Sequence, residues 1–170
     1  MSQEPVKIHV TWEEYLALLR ELFEAIDASD FKPEQIVCIA RGGLIPGNLA
    51  SLFFEVPLAV ISVASYPDHA THQEDVHFSR ALTTARPLRR KGGVLLMDDL
   101  TETGVTLRET VKWLCYWESV DPEAIRTAVV WHKVWSGFKP DFYAEMILEG
   151  PNGERPWIVQ PAEGFRRRSR

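Results

Sequence analysis

The chain has 170 residues, 45% hydrophobic and 25% charged, which suits one globular domain and leaves no room for a second. Its net charge of −5 lacks the broad positive field of a dedicated nucleic-acid binder. No apolar run approaches the roughly 20 residues that span a bilayer, and the start MSQEPVKIHV lacks the basic-then-apolar order of a leader, so a cytoplasmic protein with neither nucleic-acid nor membrane partners is expected.

Thr11 and Glu14 stand in the T-x-x-E relation of a capping box, with Val10 and Tyr15 placed as a hydrophobic staple. A helix is predicted from there, packing one face through Trp12, Tyr15, Leu16, Leu19, Leu22, Phe23 and Ile26, and stopping before Lys32-Pro33. Ile36 to Ala40 is a short apolar run that breaks abruptly into Arg41-Gly42-Gly43, as a buried parallel strand breaks at its carboxyl end. Its Cys38, like Cys115 further on, sits among apolar neighbours and reads as a packed thiol. A helix from about Pro46 to Phe54 and a strand from Leu58 to Val63 complete one βαβ unit.

Residues 65–93 are polar and too long for an ordinary connection, which marks a functional or mobile loop. Its Asp68, His69, His72, Asp75 and His77 read as solvated side chains in preference to a metal cluster, because no rigid element holds them. Arg86, Arg89 and Arg90 form either a solvated basic turn or an anion contact made when the loop closes. Val94 to Met97 is the next buried strand, ending at Asp98-Asp99, and helical spacing resumes from Thr106 to Trp117. Ile125 to Trp131 is a further strand, the remainder is short strands and turns around Phe142-Tyr143 and Trp157-Ile158-Val159, and the basic tail 166–170 reads as a solvated terminus. Alternating units of this kind give an α/β fold, a mostly parallel twisted sheet flanked by helices.

In such a sheet, ligands bind beyond the carboxyl ends of the strands. One break runs Asp98-Asp99-Leu100-Thr101-Glu102-Thr103-Gly104-Val105-Thr106 into a helix. A helix amino terminus offers free N–H groups and a positive dipole end, two threonine hydroxyls add donors, and Gly104 lets the backbone approach a ligand closely. That suits a phosphate monoester. The acids just upstream would repel a bare phosphate but bind the hydroxyls of a sugar carrying it, or a magnesium ion on that sugar, so the order of residues points to a phosphorylated ribose.

The string from Val94 to Thr106 resembles the signature of the type I phosphoribosyltransferases: an apolar strand, two acids, and a Thr/Gly-rich loop entering a helix. Val10-Thr11-Trp12, the run Arg41 to Gly47, Ser65-Tyr66, Lys133 with Tyr143 ten residues later, and Trp157-Ile158 before Gln160-Pro161 are similar to the bacterial xanthine-guanine branch. The resemblance covers nearly the whole chain. It implies a single domain over 1–170, with a flexible hood at 65–93 and a base-binding region at 133–165. The implied activity is transfer of ribose 5-phosphate from phosphoribosyl pyrophosphate to a 6-oxopurine in purine salvage, releasing pyrophosphate with the help of Mg2+, in a chain that forms a homo-oligomer.

On that resemblance, Glu102, Thr103, Gly104, Val105 and Thr106 hold the 5-phosphate, and Asp98 and Asp99 face the ribose, Asp99 also touching the metal. Arg41 and Gly42 bind pyrophosphate, as a guanidinium beside exposed N–H groups suits a dianionic leaving group. Lys133 donates to the purine 6-oxygen, Trp157 stacks on the base, and the main chain of Trp157 and Ile158 meets its 2-substituent. Glu102 manages the imidazole proton. Three departures stand out: glutamate at 102 where the family most often has aspartate, Val105 in place of glycine or lysine, and Ala162-Glu163 in place of an aromatic residue and aspartate. Plainer readings stand beside these roles, Lys133 snorkelling over aromatic surface and Trp157 lying in the core. The departure at Glu102 leaves room for a second function, a nucleotide-sensing module on the same fold that no longer turns over.

Overall fold

A computed structural model describes residues 6–67 and 74–165. Its first strand, β1 (Lys7–His9), leads into α1 (Trp12–Asp27) through a complete capping box: Thr11 Oγ1 accepts the Glu14 N–H at 3.2 Å, and Glu14 Oε2 accepts the Thr11 N–H at 2.8 Å. The helix ends several residues short of Pro33, because the Ser29 hydroxyl takes the Ile26 carbonyl at 2.7 Å and Lys32 Nζ takes that of Asp27 at 2.5 Å. Its packed face is narrower than the spacing suggests. Tyr15, Leu19, Leu22, Phe23 and Ile26 are buried, whereas Trp12 and Leu16 are exposed.

Strands β2 (Gln35–Ala40), β3 (Leu58–Pro67), β4 (Glu74–Phe78), β5 (Thr83–Thr84), β6 (Val94–Thr101), β7 (Ile125–Lys133) and β8 (Phe142–Ile147) form one sheet, in the order β4-β3-β2-β6-β7-β8 with β5 also on β3. The five strands from β3 across to β8 are parallel, while β4 and β5 run antiparallel to β3. Alternation along the central strands sorts the apolar residues into two cores. Ile36, Leu95, Ala128 and Val130 pack under α1 and α2 (Leu44–Phe54), and Val37, Ile39, Leu96 and Val129 pack under α3 (Val105–Trp117). Both cysteines are free thiols, and burial pushes the Cys38 thiol up to about 11.

Residues 65–93 are not one long loop. β3 runs ten residues and would leave its outer edge bare, and β4 and β5 cover it, with Val63 opposite Phe78 and Val60 opposite Thr83. Phe78 stacks on Trp113 of α3 at 6.0 Å, so β4 belongs to the second core. His77 is exposed on β4, while Asp68, His69, His72 and the tail 166–170 lie outside the described residues. The last strand, β9 (Trp157–Val159), pairs in parallel with β1, Ile8 opposite Ile158, and carries the carboxyl-terminal segment back over the sheet's ligand edge. Among the described residues no helix is long and apolar enough to cross a membrane.

Candidate active site

β6 does not stop at Met97. It stays paired with β7 as far as Thr101 opposite His132, so the two acids lie within the strand and alternate across it. Asp98 is buried; its Oδ1 accepts the Asp99 N–H at 2.9 Å and it also takes the Gly43 N–H. Burial, with the neighbouring charge of Asp99 adding, pushes its carboxyl well above the usual carboxylate range. Asp99 Oδ1 accepts the Leu100 N–H at 2.8 Å, and Oδ2 accepts the side-chain amide of Gln160 at 2.5 Å. Tyr15 on α1 is buried nearby, and burial together with the charges of Asp99 and Asp98 raises its phenol.

Past Thr101 the chain turns through Glu102-Thr103-Gly104 into α3. Gly104 is the helix N-cap at φ +82°, a conformation that L residues with side chains rarely hold, and of the first-turn N–H groups that of Val105 is taken by Thr103 Oγ1 at 3.3 Å. The amino-terminal turn of the helix borders a cavity of about 230 Å³ lined by Asp98, Leu100, Thr101, Glu102, Thr103, Gly104, Thr106 and Leu107. The loop after β7 buttresses this turn from behind. Gly137 N–H donates to the Thr103 carbonyl at 2.9 Å, and a Cβ on Gly104 would lie 2.5 Å from that of Phe138.

On the other side of β6 a second cavity, about 340 Å³, is lined by Asp99, Leu100, Glu102, Lys133, Trp157, Ile158, Gln160 and Glu163. Leu100 and Glu102 line both, so Glu102 stands where the two cavities meet. Lys133, at the end of β7, is buried rather than snorkelling outward. Its Nζ forms an ion pair with Glu102 Oε2 and lies 5.4 Å from the ring centre of Trp135 and 5.7 Å from that of Trp157. Glu102 Oε1 takes the indole N–H of Trp135 at 3.1 Å. Trp157 is 46% exposed, which leaves its ring open to the second cavity and sets aside the reading of a core tryptophan. Its N–H donates to Val6 and Val10 N–H donates to the Val159 carbonyl, so Ile158 turns its main chain to the opposite edge of β9.

A profile of the phosphoribosyl transferase domain matches residues 11–163, nine-tenths of the sequence. The chain belongs to that family. Over 101 residues, 58% of this chain, it is 31% identical to the xanthine-guanine phosphoribosyltransferase of Idiomarina loihiensis, and the match spans 59% of that relative. The purine phosphoribosyltransferase of Pyrococcus horikoshii superposes with a TM-score of 0.75 at 27% identity, over 96% of this chain and 99% of that one. The Helicobacter pylori xanthine-guanine-hypoxanthine phosphoribosyltransferase shares the fold, with a TM-score of 0.69 at 22% identity over 89% of this chain and 90% of that one.

The phosphoribosyltransferase fold gathers most of the residues singled out in the sequence at one sheet edge: Asp98, Asp99, Glu102, Thr103, Gly104, Thr106, Lys133, Trp157 and Ile158 all line the two cavities. Val105 begins α3, one residue earlier than the periodicity suggests, and its N–H reaches Thr103 Oγ1 at 3.3 Å. Gly42 abuts the site, since a Cβ there would fall on the Asp99 carboxylate, while Arg41 follows a cis Ala40–Arg41 peptide bond and is exposed outside both cavity linings. Arg89 lies at the other end of the sheet, paired with Glu34 at 2.6 Å just before β2, and Arg90 is beside it, its carbonyl accepting the Asp121 N–H; neither lines the two cavities. Among the described residues no group of three His, Cys, Asp or Glu side chains forms a metal-binding set. Trp135 and the Asp99–Gln160 bond were not legible as site features; the one signal was the Gln160-Pro161 pair after Trp157-Ile158.

Proposed function

We propose that this domain transfers ribose 5-phosphate from phosphoribosyl pyrophosphate to a 6-oxopurine, guanine, xanthine or hypoxanthine, with release of pyrophosphate. The observation that carries the reading is the pair of cavities meeting at Glu102, one bordered by the amino terminus of α3 and the other by a buried lysine and an open tryptophan face. The first suits the 5-phosphate, bound by the N–H groups of Thr103 to Thr106 and their hydroxyls. The second suits a planar base with a carbonyl for Lys133 to donate to and a ring for Trp157 to cover. Asp98 and Asp99, on the strand between, face the ribose.

Among the described residues neither carboxylate of the acid pair has a cationic partner, and hard oxygen donors of this kind fit magnesium, with Asp99 as the residue that would hold it. When bound, the ion offsets charge on the departing pyrophosphate. Arg41 and Gly42, at the turn beside Asp99, would receive that group. The bond from the anomeric carbon to pyrophosphate breaks as the bond to a purine nitrogen forms, and the imidazole proton has to leave. A base that draws Lys133 onto its 6-oxygen frees Glu102 Oε2 from its ion pair, and the released carboxylate takes that proton. The protein's work is thus positioning, charge neutralisation and one proton transfer.

The test is pyrophosphate release with phosphoribosyl pyrophosphate, Mg2+ and a panel of free bases, for the native chain and Glu102→Gln. Release with a 6-oxopurine, slowed about 100-fold or more by the substitution while GMP affinity measured by calorimetry changes little, is expected. Unchanged turnover in Glu102→Gln would remove the proton-transfer role. Nucleotide binding without release for any base would instead favour the sensing module.

A further inference from the structure

Glu102 carries three side-chain rotors, and its side chain is 46% exposed at the junction of the two cavities. Such a carboxylate needs fixing if it is to act at one place. Both oxygens are held in this structure, Oε2 by Lys133 and Oε1 by the indole N–H of Trp135 at 3.1 Å. Only one of these partners survives on the proposed reaction path, because Lys133 has to turn to the base.

Trp135 is itself fixed from several sides. Arg155 lies 5.3 Å from its ring centre and is tied to Glu149 at 2.9 Å, Lys133 Nζ lies 5.4 Å from the same centre, and the indole packs on the core beneath α1. Its backbone sits in a closed turn. Ser136 N–H donates to the Lys133 carbonyl at 2.9 Å, Ser136 Oγ donates to the Phe138 carbonyl at 3.0 Å, and Gly137 N–H fastens the same loop to Thr103. The indole N–H thus comes from a loop already locked to the phosphate turn.

We infer that Trp135 is the positioning residue of Glu102, its indole N–H holding the carboxylate at the cavity junction when Lys133 is taken by the base. The inference rests on the proposed role of Glu102: the tryptophan supplies the anchor that a long, half-exposed carboxylate requires. Trp135 touches no reacting atom, so its effect on the reaction passes entirely through Glu102.

Trp135→Phe keeps an aromatic ring against Arg155 and the core and removes the indole N–H, with part of the ring surface. For the native chain, Trp135→Phe, Glu102→Gln and the double variant, kcat and KM for nucleotide synthesis and GMP affinity are measured. Trp135→Phe is expected to lower kcat about tenfold, with KM for phosphoribosyl pyrophosphate and GMP affinity within twofold and the melting temperature unchanged. In the Glu102→Gln background it is expected to add nothing. Wild-type kcat in Trp135→Phe, or the same tenfold loss in both backgrounds, overturns the inference. The failure of the underlying reading shows elsewhere, as wild-type turnover in Glu102→Gln alone or as no turnover with any base. The link is then read without activity, from the ¹⁵N–¹H resonance of the indole that Trp135→Phe removes. A shift of that resonance in Glu102→Gln supports the link, and a resonance indifferent to the substitution overturns it.

Discussion

At the end of β2 the chain enters α2 through a turn pressed closely onto the strands beside it, whereas at the end of β6 it enters α3 through a turn held in place by polar groups from another loop. In the first, a Cβ on Gly43 would lie 2.5 Å from the Met97 carbonyl oxygen and 2.7 Å from that of Ile39, and one on Gly47 would strike Cys38. The turn is fixed by how closely α2 lies on the sheet, and no partner can be exchanged without moving a strand. In the second, Gly137, Lys133 and Trp135 hold Thr103 and Glu102 through a main-chain hydrogen bond, an ion pair and an indole hydrogen bond. Polar partners of that kind are ones a ligand can replace. The two turns sit side by side at one sheet edge, and the contrast separates a wall from a moving part.

Gly43→Ala tests the wall and should have the largest effect. Its Cβ meets two main-chain oxygens and a main-chain nitrogen of β2 and β6, none of which can swing aside as a side chain would. A loss of about 3 kcal/mol in urea unfolding is expected, with poor recovery of folded protein. Native stability in this variant would mean that the first turn adjusts as readily as the second.

Gly104→Ala tests the moving part. The position combines φ +82° with Phe138 Cβ at 2.5 Å and Ser136 Oγ at 2.6 Å, so an added methyl should push the Glu102-Thr103-Gly104 turn off its supporting loop. The expected cost is about 1–2 kcal/mol of stability and, more diagnostic, about a tenfold loss of GMP affinity by calorimetry. Lost stability with native affinity would show that the turn's shape does not matter to a phosphate ligand.

The wall and the moving part differed in how far they could be read from sequence. Short apolar runs ending in Arg41-Gly42-Gly43 and Asp98-Asp99 marked both turns, because a buried parallel strand is a local pattern and two acids after it are costly without a ligand or donors. The Thr11–Glu14 box likewise marked the start of α1. What holds the second turn was not marked, since the Trp135–Glu102 bond joins residues 33 apart and the Gln160–Asp99 bond residues 61 apart, and neither leaves a local signature. The pairing of β1 with β9 escaped for the same reason: two three-residue strands at the two ends of the chain carry no period to read. The polar character of 65–93 hid β4 and β5, which pair through backbone along the edge of β3.

The smallest predicted effect sharpens the contrast through pH. His132, on β7 behind the second turn, is buried, hydrogen-bonded through Nδ1 to Thr101 Oγ1 at 2.9 Å, and packed 5.2 Å from the ring of Tyr143. Burial, with the charge of Lys139 adding, lowers its pKa below the ordinary imidazole value, so the unfolded chain takes up the proton first. The stability that depends on a neutral His132 is then fully present above the unfolded value of about 6.5 and is lost as pH falls from there through the folded value. His132→Gln should therefore show a shallower fall in unfolding free energy between pH 7.5 and 5 than the native chain, by less than about 1.4 kcal/mol per pH unit, the limit for one proton. In the native chain the loss should be local: amide exchange at Thr103 and Gly104, corrected for intrinsic rate, should speed up toward pH 5.5 more than exchange at Gly43, because His132 is bonded to Thr101 just before the second turn. Equal acceleration at both turns would mean that wall and moving part open as one cooperative unit, and a ligand displacing Lys133 from Glu102 would then loosen the turn after β2 as well.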